Sequence, residues 1–209
     1  GECGSLYLAG NPSLKVNGIM HKIANFQKEY PQISIDLLER ECFELYPLVE
    51  NNKIDAAFVT YFEKYKQKKV PLEGIPVVYD ELVLVTNKSH PLAELDVVDL
   101  KDLASEKFIF FCKSTGLYTQ TLDACRKAGF TPKCTFETRY VDTCLGLVAE
   151  GLGIALLSSN SVKNTQWKNI AVIPLKQKEP RIISLVYRKQ KEQPPVLKNF
   201  INFILKEIE

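Results

Sequence analysis

The sequence predicts an α/β fold built as two lobes. Three observations point there. Short apolar runs alternate with amphipathic stretches of helical period, two such strand–helix–strand sets occur, and a long extended segment near residue 80 separates them. Strand–helix–strand order implies parallel strands joined by right-handed crossovers.

The elements follow in chain order. Leu6, Tyr7, Leu8 and Ala9 form an apolar run closed by Gly10-Asn11-Pro12-Ser13, a buried strand ending in a turn. Ile19, Ile23, Phe26 and Tyr30 recur at helical spacing, and Pro31 stops that helix. Ile33, Ile35 and Leu37 alternate with polar residues as a second strand. Leu45, Leu48 and Val49 predict a short helix in which Pro47 is tolerable only in the first turn. Residues 54–59 are a third strand. Residues 61–69, with four lysines, read as an exposed connection. Residues 75–79 and 82–86 are extended, interrupted by Asp80-Glu81 and ended by His90-Pro91.

A second alternating series begins with a strand at 108–111. A helix at 117–128 is closed by Gly129, a strand covers 133–137, a helix at 141–150 is closed by Gly151, and a strand covers 154–157. Glycine just after a helix suits the left-handed cap. Residues 170–174 and 182–187 are two further strands. Pro194-Pro195 opens a last helix striped by Leu197, Phe200, Ile201, Ile204 and Ile208.

Composition narrows the function. Of 209 residues, 45% are hydrophobic and 25% charged, and the net charge is +2. That is a globular composition, not a disordered one, and its charge gives little attraction to phosphate. No apolar run approaches the roughly 18–20 residues of a membrane span, so no membrane partner is expected. Residue 1 is Gly and the single Met is Met20, so an upstream segment is expected. Six cysteines lack CxxC spacing and only His21 and His90 exist, so neither metal nor other cofactor is implied. Reduced thiols in a cytoplasmic protein are the simplest reading.

Ligands of open α/β sheets bind beyond the carboxyl ends of the strands. The loops to inspect are residues 10–14, 40–43, 60–62, 112–116 and 139–143. Several lead into helices, whose free N–H groups suit a carboxylate or phosphate. Their hydroxyls have a second reading as ordinary helix caps. No Walker A loop, GxGxxG turn or GxSxG elbow is present, and neither histidine has an evident acid and nucleophile. An enzyme is not expected. Glu39 and Glu41 read as solvated.

The runs GSLYLAGNPSL, IANFQKEYPQISIDLLE, LVENNKIDAAFV, IPVVYDELVLVTNKSHPLA, DLASEKFIFF, LDACRKAGFTPKCTFET and LGLVAEGLGIALL keep a familiar order and spacing. Together they resemble the effector-binding domain of LysR-type transcriptional regulators. The resemblance covers nearly the whole chain. It implies two Rossmann-like lobes with a hinge, similar to type 2 periplasmic binding proteins. Lobe I would hold 1–80 plus 189–209, and lobe II 81–188. A winged helix-turn-helix DNA-binding domain would lie outside this chain, which would reach DNA only through it. A small effector, possibly a carboxylate, would bind between the lobes and shift a population that controls DNA binding. Dimers or tetramers are implied.

Family contacts carried over fall on Asn11, Ser13, Cys42, Thr60, Ser114, Thr115, Gly116 and Val141, with Leu14 and Tyr61 in the same loops. Arg40 and Cys42 depart from the family pattern, and Ser158-Ser159 replaces a proline often found there. Arg40 reads either as a fork for a ligand carboxylate or as a solvated side chain. Two alternatives remain at this point: a transport-type solute-binding protein, and a thiol-based redox sensor. In the peroxide-sensing branch of the family two cysteines are separated by eight residues. Cys125 matches the second of these, but the first falls on Gly116. A structural thiol is therefore expected at Cys125, on the face of Leu122.

Overall fold

The computed structural model describes residues 3–60, 71–163 and 165–208. The predicted connection at 61–69 lies outside the described residues. The chain divides into two units, Gly1–Tyr79 with Ile182–Glu209, and Asp80–Arg181.

In the first unit β1 (Gly4–Gly10) runs parallel to both β2 (Ile33–Glu39) and β3 (Ala56–Thr60). Asp55 secures the start of this arrangement. Its carboxylate accepts the Tyr7 N–H at 2.8 Å while its own N–H donates to the Tyr7 carbonyl at 2.8 Å. Leu6 and Leu8 face α1 (Ile19–Glu29) and α6 (Pro195–Ile208). There Phe26 meets Phe200 edge to face at 4.9 Å. Ala9, Ala57 and Val59 face α2 (Cys42–Glu50), which buries Cys42, Leu45, Tyr46 and Val49. Each such large apolar side chain contributes about 1.5–3 kcal/mol by leaving water.

Pro47 does not sit in the first turn of its helix. A capping box between Glu41 and Glu44 starts α2 at Cys42, which leaves Pro47 in the helix interior. An interior proline costs roughly 3 kcal/mol, and the buried face of α2 offsets it. Alternation in β2 also fails to bury one whole face. Leu37 is exposed, because β2 ends the strand order among the described residues.

In the second unit β4 (Leu72–Asn87) pairs antiparallel with β7 (Ala155–Ser158) and β8 (Ile170–Pro174) from Leu82 onward. Parallel β5 (Lys107–Phe111) and β6 (Lys133–Thr138) join it through a bridge from Phe108 to Ile154. Their core holds Leu84, Phe108, Phe110, Leu145, Val148 and Leu156, covered by α3 (Gly116–Lys127) and α4 (Val141–Ala149). Gly129 and Gly151 take φ of 91° and 72° just beyond these helices, as predicted. Gly153 is required by close approach. A Cβ there would lie 2.6 Å from the Lys107 carbonyl oxygen. That oxygen accepts the Ile154 N–H at 2.8 Å.

Asp80-Glu81 do not interrupt β4. One strand of 16 residues passes through them. A short helix, α5 (Ser159–Val162), follows β7 and had no sequence signal. Strand β9 (Pro180–Arg188) pairs antiparallel with β3 through Ile183 to Tyr187. The return to the first unit therefore begins at Ile182, where the sequence reading began it at 189. Among the described residues no helix is long and apolar enough to cross a membrane.

Candidate functional site

The strand-end loops of the first unit are built around Asn11 and Thr60. The Asn11 N–H donates to the Phe58 carbonyl at 3.3 Å, which ties the loop after β1 to β3. Ser13 Oγ donates to Asn11 Oδ1 at 2.7 Å, and Asn17 Nδ2 donates to both the Ser13 carbonyl and Ser13 Oγ at 3.0 Å. Asn11, Ser13 and Asn17 are thus one cluster. Ser13 is not a helix cap, since α1 begins after Gly18. Leu14 points into the core at 1% exposure, against Gly10.

Cys42 also turns inward. It is buried, and its thiol donates to the Thr60 carbonyl at 3.4 Å. Tyr46, four residues on and therefore on the same helix face, donates its hydroxyl to that carbonyl at 2.7 Å. Two groups of α2 therefore hold the end of β3. The Thr60 hydroxyl is buried and has no hydrogen-bond partner among the described residues. Tyr61 lies outside them. Arg40 is exposed and its guanidinium donates to the neighbouring Glu39 carbonyl at 2.8 Å.

In the second unit the loops after β5 and β6 are joined by the Cys112 N–H, which donates to the Thr138 carbonyl at 3.0 Å. Thr115 caps α3. Its Oγ1 accepts the Tyr118 N–H at 3.1 Å and donates to the Cys112 carbonyl at 2.8 Å. Gly116 is the buried first residue of that helix. Ser114 differs from its neighbour, because its Oγ is buried without a partner among the described residues. Val141 opens α4, whose N-cap Tyr140 supplies no side-chain cap. The first N–H groups of α4 are therefore not satisfied by a capping side chain. Lys113, Arg139 and Asp142 at these loops are all exposed.

Taken separately, each group of loops offers hydrogen-bonding side chains or helix N–H groups of the kind that recognise small polar molecules. An acid–base pair at these loops is not formed by the histidines. His21 is hydrogen-bonded to Asn25 at 3.1 Å, and His90 Nε2 lies 3.3 Å from the Glu106 carboxylate. Asn17 and Tyr46 were missed by the sequence reading. The signal for both was the spacing of four from Ser13 and Cys42.

None of the six cysteines forms a disulfide among the described residues. Burial, with a smaller contribution from the Glu179 carboxylate, pushes the Cys125 thiol up to about 12, and burial alone pushes Cys144 up to about 12. Such thiols are poor nucleophiles near neutral pH.

Comparison with known proteins places this architecture. A family model described as the LysR substrate binding domain matches residues 1–209, and the chain belongs to that family. An uncharacterized HTH-type transcriptional regulator of Escherichia coli K12, YnfL, is 30% identical over 207 residues, which is 96% of this chain and 67% of the relative. The transcriptional dual regulator GltC of Bacillus subtilis 168 is 27% identical over 88% of this chain and 60% of its own length. The chain thus spans about two thirds of the length of these regulators. Among solved structures, the effector-binding domain of QuiR in complex with shikimate superposes with a TM-score of 0.85 at 25% identity, covering 99% of this chain and 97% of that one. The fold is that of LysR effector-binding domains, resembling type 2 periplasmic binding proteins. The family match favours a regulator over a transport-type solute-binding protein.

Proposed function

We propose that this LysR substrate-binding domain senses a small anionic molecule, a carboxylate foremost. It does so with the strand-end loops that hold Thr60 and Ser114, and binding controls DNA binding by a winged helix-turn-helix segment outside this chain. The observation that carries the reading is that Thr60 Oγ1 and Ser114 Oγ are two of the three buried hydroxyls without a partner among the described residues. Each lies in a loop or strand end where the sheet delivers ligand contacts. A buried hydroxyl left without a partner is costly, and a ligand acceptor or donor would relieve that cost. The uncapped start of α4 adds N–H groups and the positive end of a helix dipole. Asn11, Ser13, Thr115, Gly116 and Val141 complete the proposed contacts, while Leu14 and Cys42 act from behind the surface. The relatives are transcriptional regulators, which supports a non-enzymatic role, a cytoplasmic location and self-association into dimers or tetramers.

The test is a thermal-shift and calorimetric titration of a panel of small carboxylates headed by shikimate, the molecule bound in the QuiR structure. A ligand at 100 times its Kd adds about 2.7 kcal/mol of stability. Thr60→Val and Ser114→Ala, each weakening binding about tenfold, are expected to cut that gain to about 1.4 kcal/mol at the same ligand concentration. The reading fails if no carboxylate stabilises the protein, or if one does so equally in both variants.

A further inference from the structure

The loop after β1 fixes the direction of each hydrogen bond in the cluster of Asn11, Ser13 and Asn17. The Ser13 carbonyl sets it, because a backbone carbonyl can only accept. One atom of the Asn17 side chain lies 3.0 Å from that carbonyl and 3.0 Å from Ser13 Oγ. It is therefore the nitrogen, Nδ2, and gives one proton to each. The Ser13 hydroxyl accepts from Asn17 and has its own proton left to give. It gives that proton at 2.7 Å to the near atom of the Asn11 carboxamide, which is therefore the oxygen, Oδ1. The nitrogen and oxygen of a carboxamide lie on opposite sides of its carbon, so Asn11 Nδ2 is turned away from Ser13. The backbone holds the rest of the residue. The Asn11 N–H donates to the Phe58 carbonyl at 3.3 Å, the Asn11 carbonyl accepts the Leu14 N–H at 3.3 Å, and Pro12 biases Asn11 towards extended backbone.

The cluster does not serve the helix that follows, because α1 begins after Gly18 and has no side-chain cap. Nor does it satisfy itself. Asn11 is 8% exposed, yet among the described residues its Nδ2 has no acceptor. A cluster that only stiffened the loop would leave no amide donor over, since buried polar groups are normally paired. Two N–H donors are kept instead at the carboxyl end of β1, where ligands of such sheets bind.

We propose that Asn17 is a positioning residue: through Ser13 it holds the Asn11 carboxamide with its N–H groups turned away from the cluster, so that this loop takes a carboxylate or carbonyl oxygen and rejects an ammonium. The donor role rests on the reading that a small anion binds the strand-end loops, and it narrows that reading to one end of the ligand. The lock on the amide is a property of the free first unit.

Nuclear magnetic resonance of the side-chain amides compares the wild type with Asn17→Leu, Ser13→Ala and Ser13→Thr. Without ligand, the wild type is expected to show scalar coupling across the hydrogen bond from Asn17 Nδ2 to the Ser13 carbonyl carbon. It is expected to show no cross-relaxation between the Asn11 Nδ2 protons and the side chain at position 13. Asn17→Leu frees the Ser13 hydroxyl to accept, so the Asn11 amide samples both orientations and that cross-relaxation appears. Formate, the smallest carboxylate, and methylammonium are then titrated. Formate is expected to move the Asn11 Nδ2 resonances of the wild type, and methylammonium to leave them in place. An amide reversed half the time halves the competent fraction, so formate binds about twofold more weakly in Asn17→Leu and Ser13→Ala. Ser13→Thr, which keeps the hydroxyl, retains the wild-type affinity and resonances. Cross-relaxation already present in the wild type, or absent from Asn17→Leu, overturns the lock. If Asn17→Leu fails to fold, Ser13→Ala gives the same readout. Asn11 resonances that move equally with methylammonium, or not at all with formate, overturn the donor role. Failure of the sensing reading shows separately, as carboxylates that give no thermal shift, and the ligand-free spectra decide the lock in that case too.

Discussion

Replacing Thr60 by Val removes a hydroxyl and keeps the shape of the side chain. Thr60 is 2% exposed and its Oγ1 has no partner among the described residues. A buried hydroxyl in that state costs about 1–3 kcal/mol, and an apolar group of the same shape is close to neutral or stabilising. The free protein is therefore expected to gain about 1 kcal/mol, which in a chain of this length raises Tm by roughly 2–4 °C. Valine also suits β3, a fully buried strand. Binding moves the other way. A lost hydrogen bond to the ligand weakens affinity about tenfold, the equivalent of roughly 1.4 kcal/mol. Thr86 provides the control. It too is buried with a hydroxyl that has no partner among the described residues, but it lies in β4 opposite Ala171, outside the loops proposed to bind ligand. Thr86→Val is expected to give a similar gain in stability with binding intact. Urea unfolding and calorimetric titration of both variants decide the matter. A loss of more than about 1 kcal/mol in free Thr60→Val, or weaker binding in Thr86→Val alone, refutes the reasoning.

Three further outcomes are expected. Gly153→Ala is expected to cost roughly 2–4 kcal/mol in urea unfolding. Its Cβ would stand 2.6 Å from the Lys107 carbonyl, and the shift it forces disturbs the paired bonds between Ile154 and β5. Gly151→Ala, at φ 72° with open space around it, is expected to cost only about 1–2 kcal/mol. Alkylation at pH 8, followed by mass spectrometry, is expected to label exposed Cys3 and Cys134 first. Buried Cys42, Cys125 and Cys144 react only on unfolding, and rapid labelling of Cys125 would contradict its thiol's rise to about 12. Lys189 lies 2.8 Å from Glu73 and, as the largest cause, holds that carboxyl below its ordinary 4.5. A depressed carboxyl stabilises the fold above its unfolded value and loses that contribution as pH falls through its folded value. The difference in stability between wild type and Lys189→Met is thus expected to be small, present at pH 7, and to vanish as pH drops below 4.5. A difference unchanged in acid would contradict the pairing.

Local chemistry was legible in the sequence wherever a residue acts on its own neighbours. Pro31 ends α1 nearby, and Gly129 and Gly151 cap their helices. The start of α2 was missed because its capping box uses Glu41 in place of Ser or Thr. The continuity of β4 through Asp80-Glu81 was missed because the groups that satisfy Asp80 lie 78, 79 and 80 residues away. The site shows the same divide. Strand-end loops could be located from the alternation of elements, and the family resemblance implied Asn11, Ser13, Thr60 and Ser114 within them. Which way Leu14 and Cys42 turn depends on packing against Gly10 and on the Thr60 carbonyl, and neither contact is local. Thr115 and Ser114 are adjacent hydroxyls of opposite status, one a satisfied cap and one unpartnered. Their tertiary surroundings, not their sequence neighbours, separate them.

The central claim is that binding of a small anion depends on the strand-end loops that hold Thr60 and Ser114. Hydrogen exchange with and without the carboxylate selected by titration tests it most directly. The account predicts simultaneous protection of residues 10–18 and 57–60 in the first unit and of residues 112–118 and 138–144 in the second. Protection confined to one unit, or lying outside these loops, would contradict it.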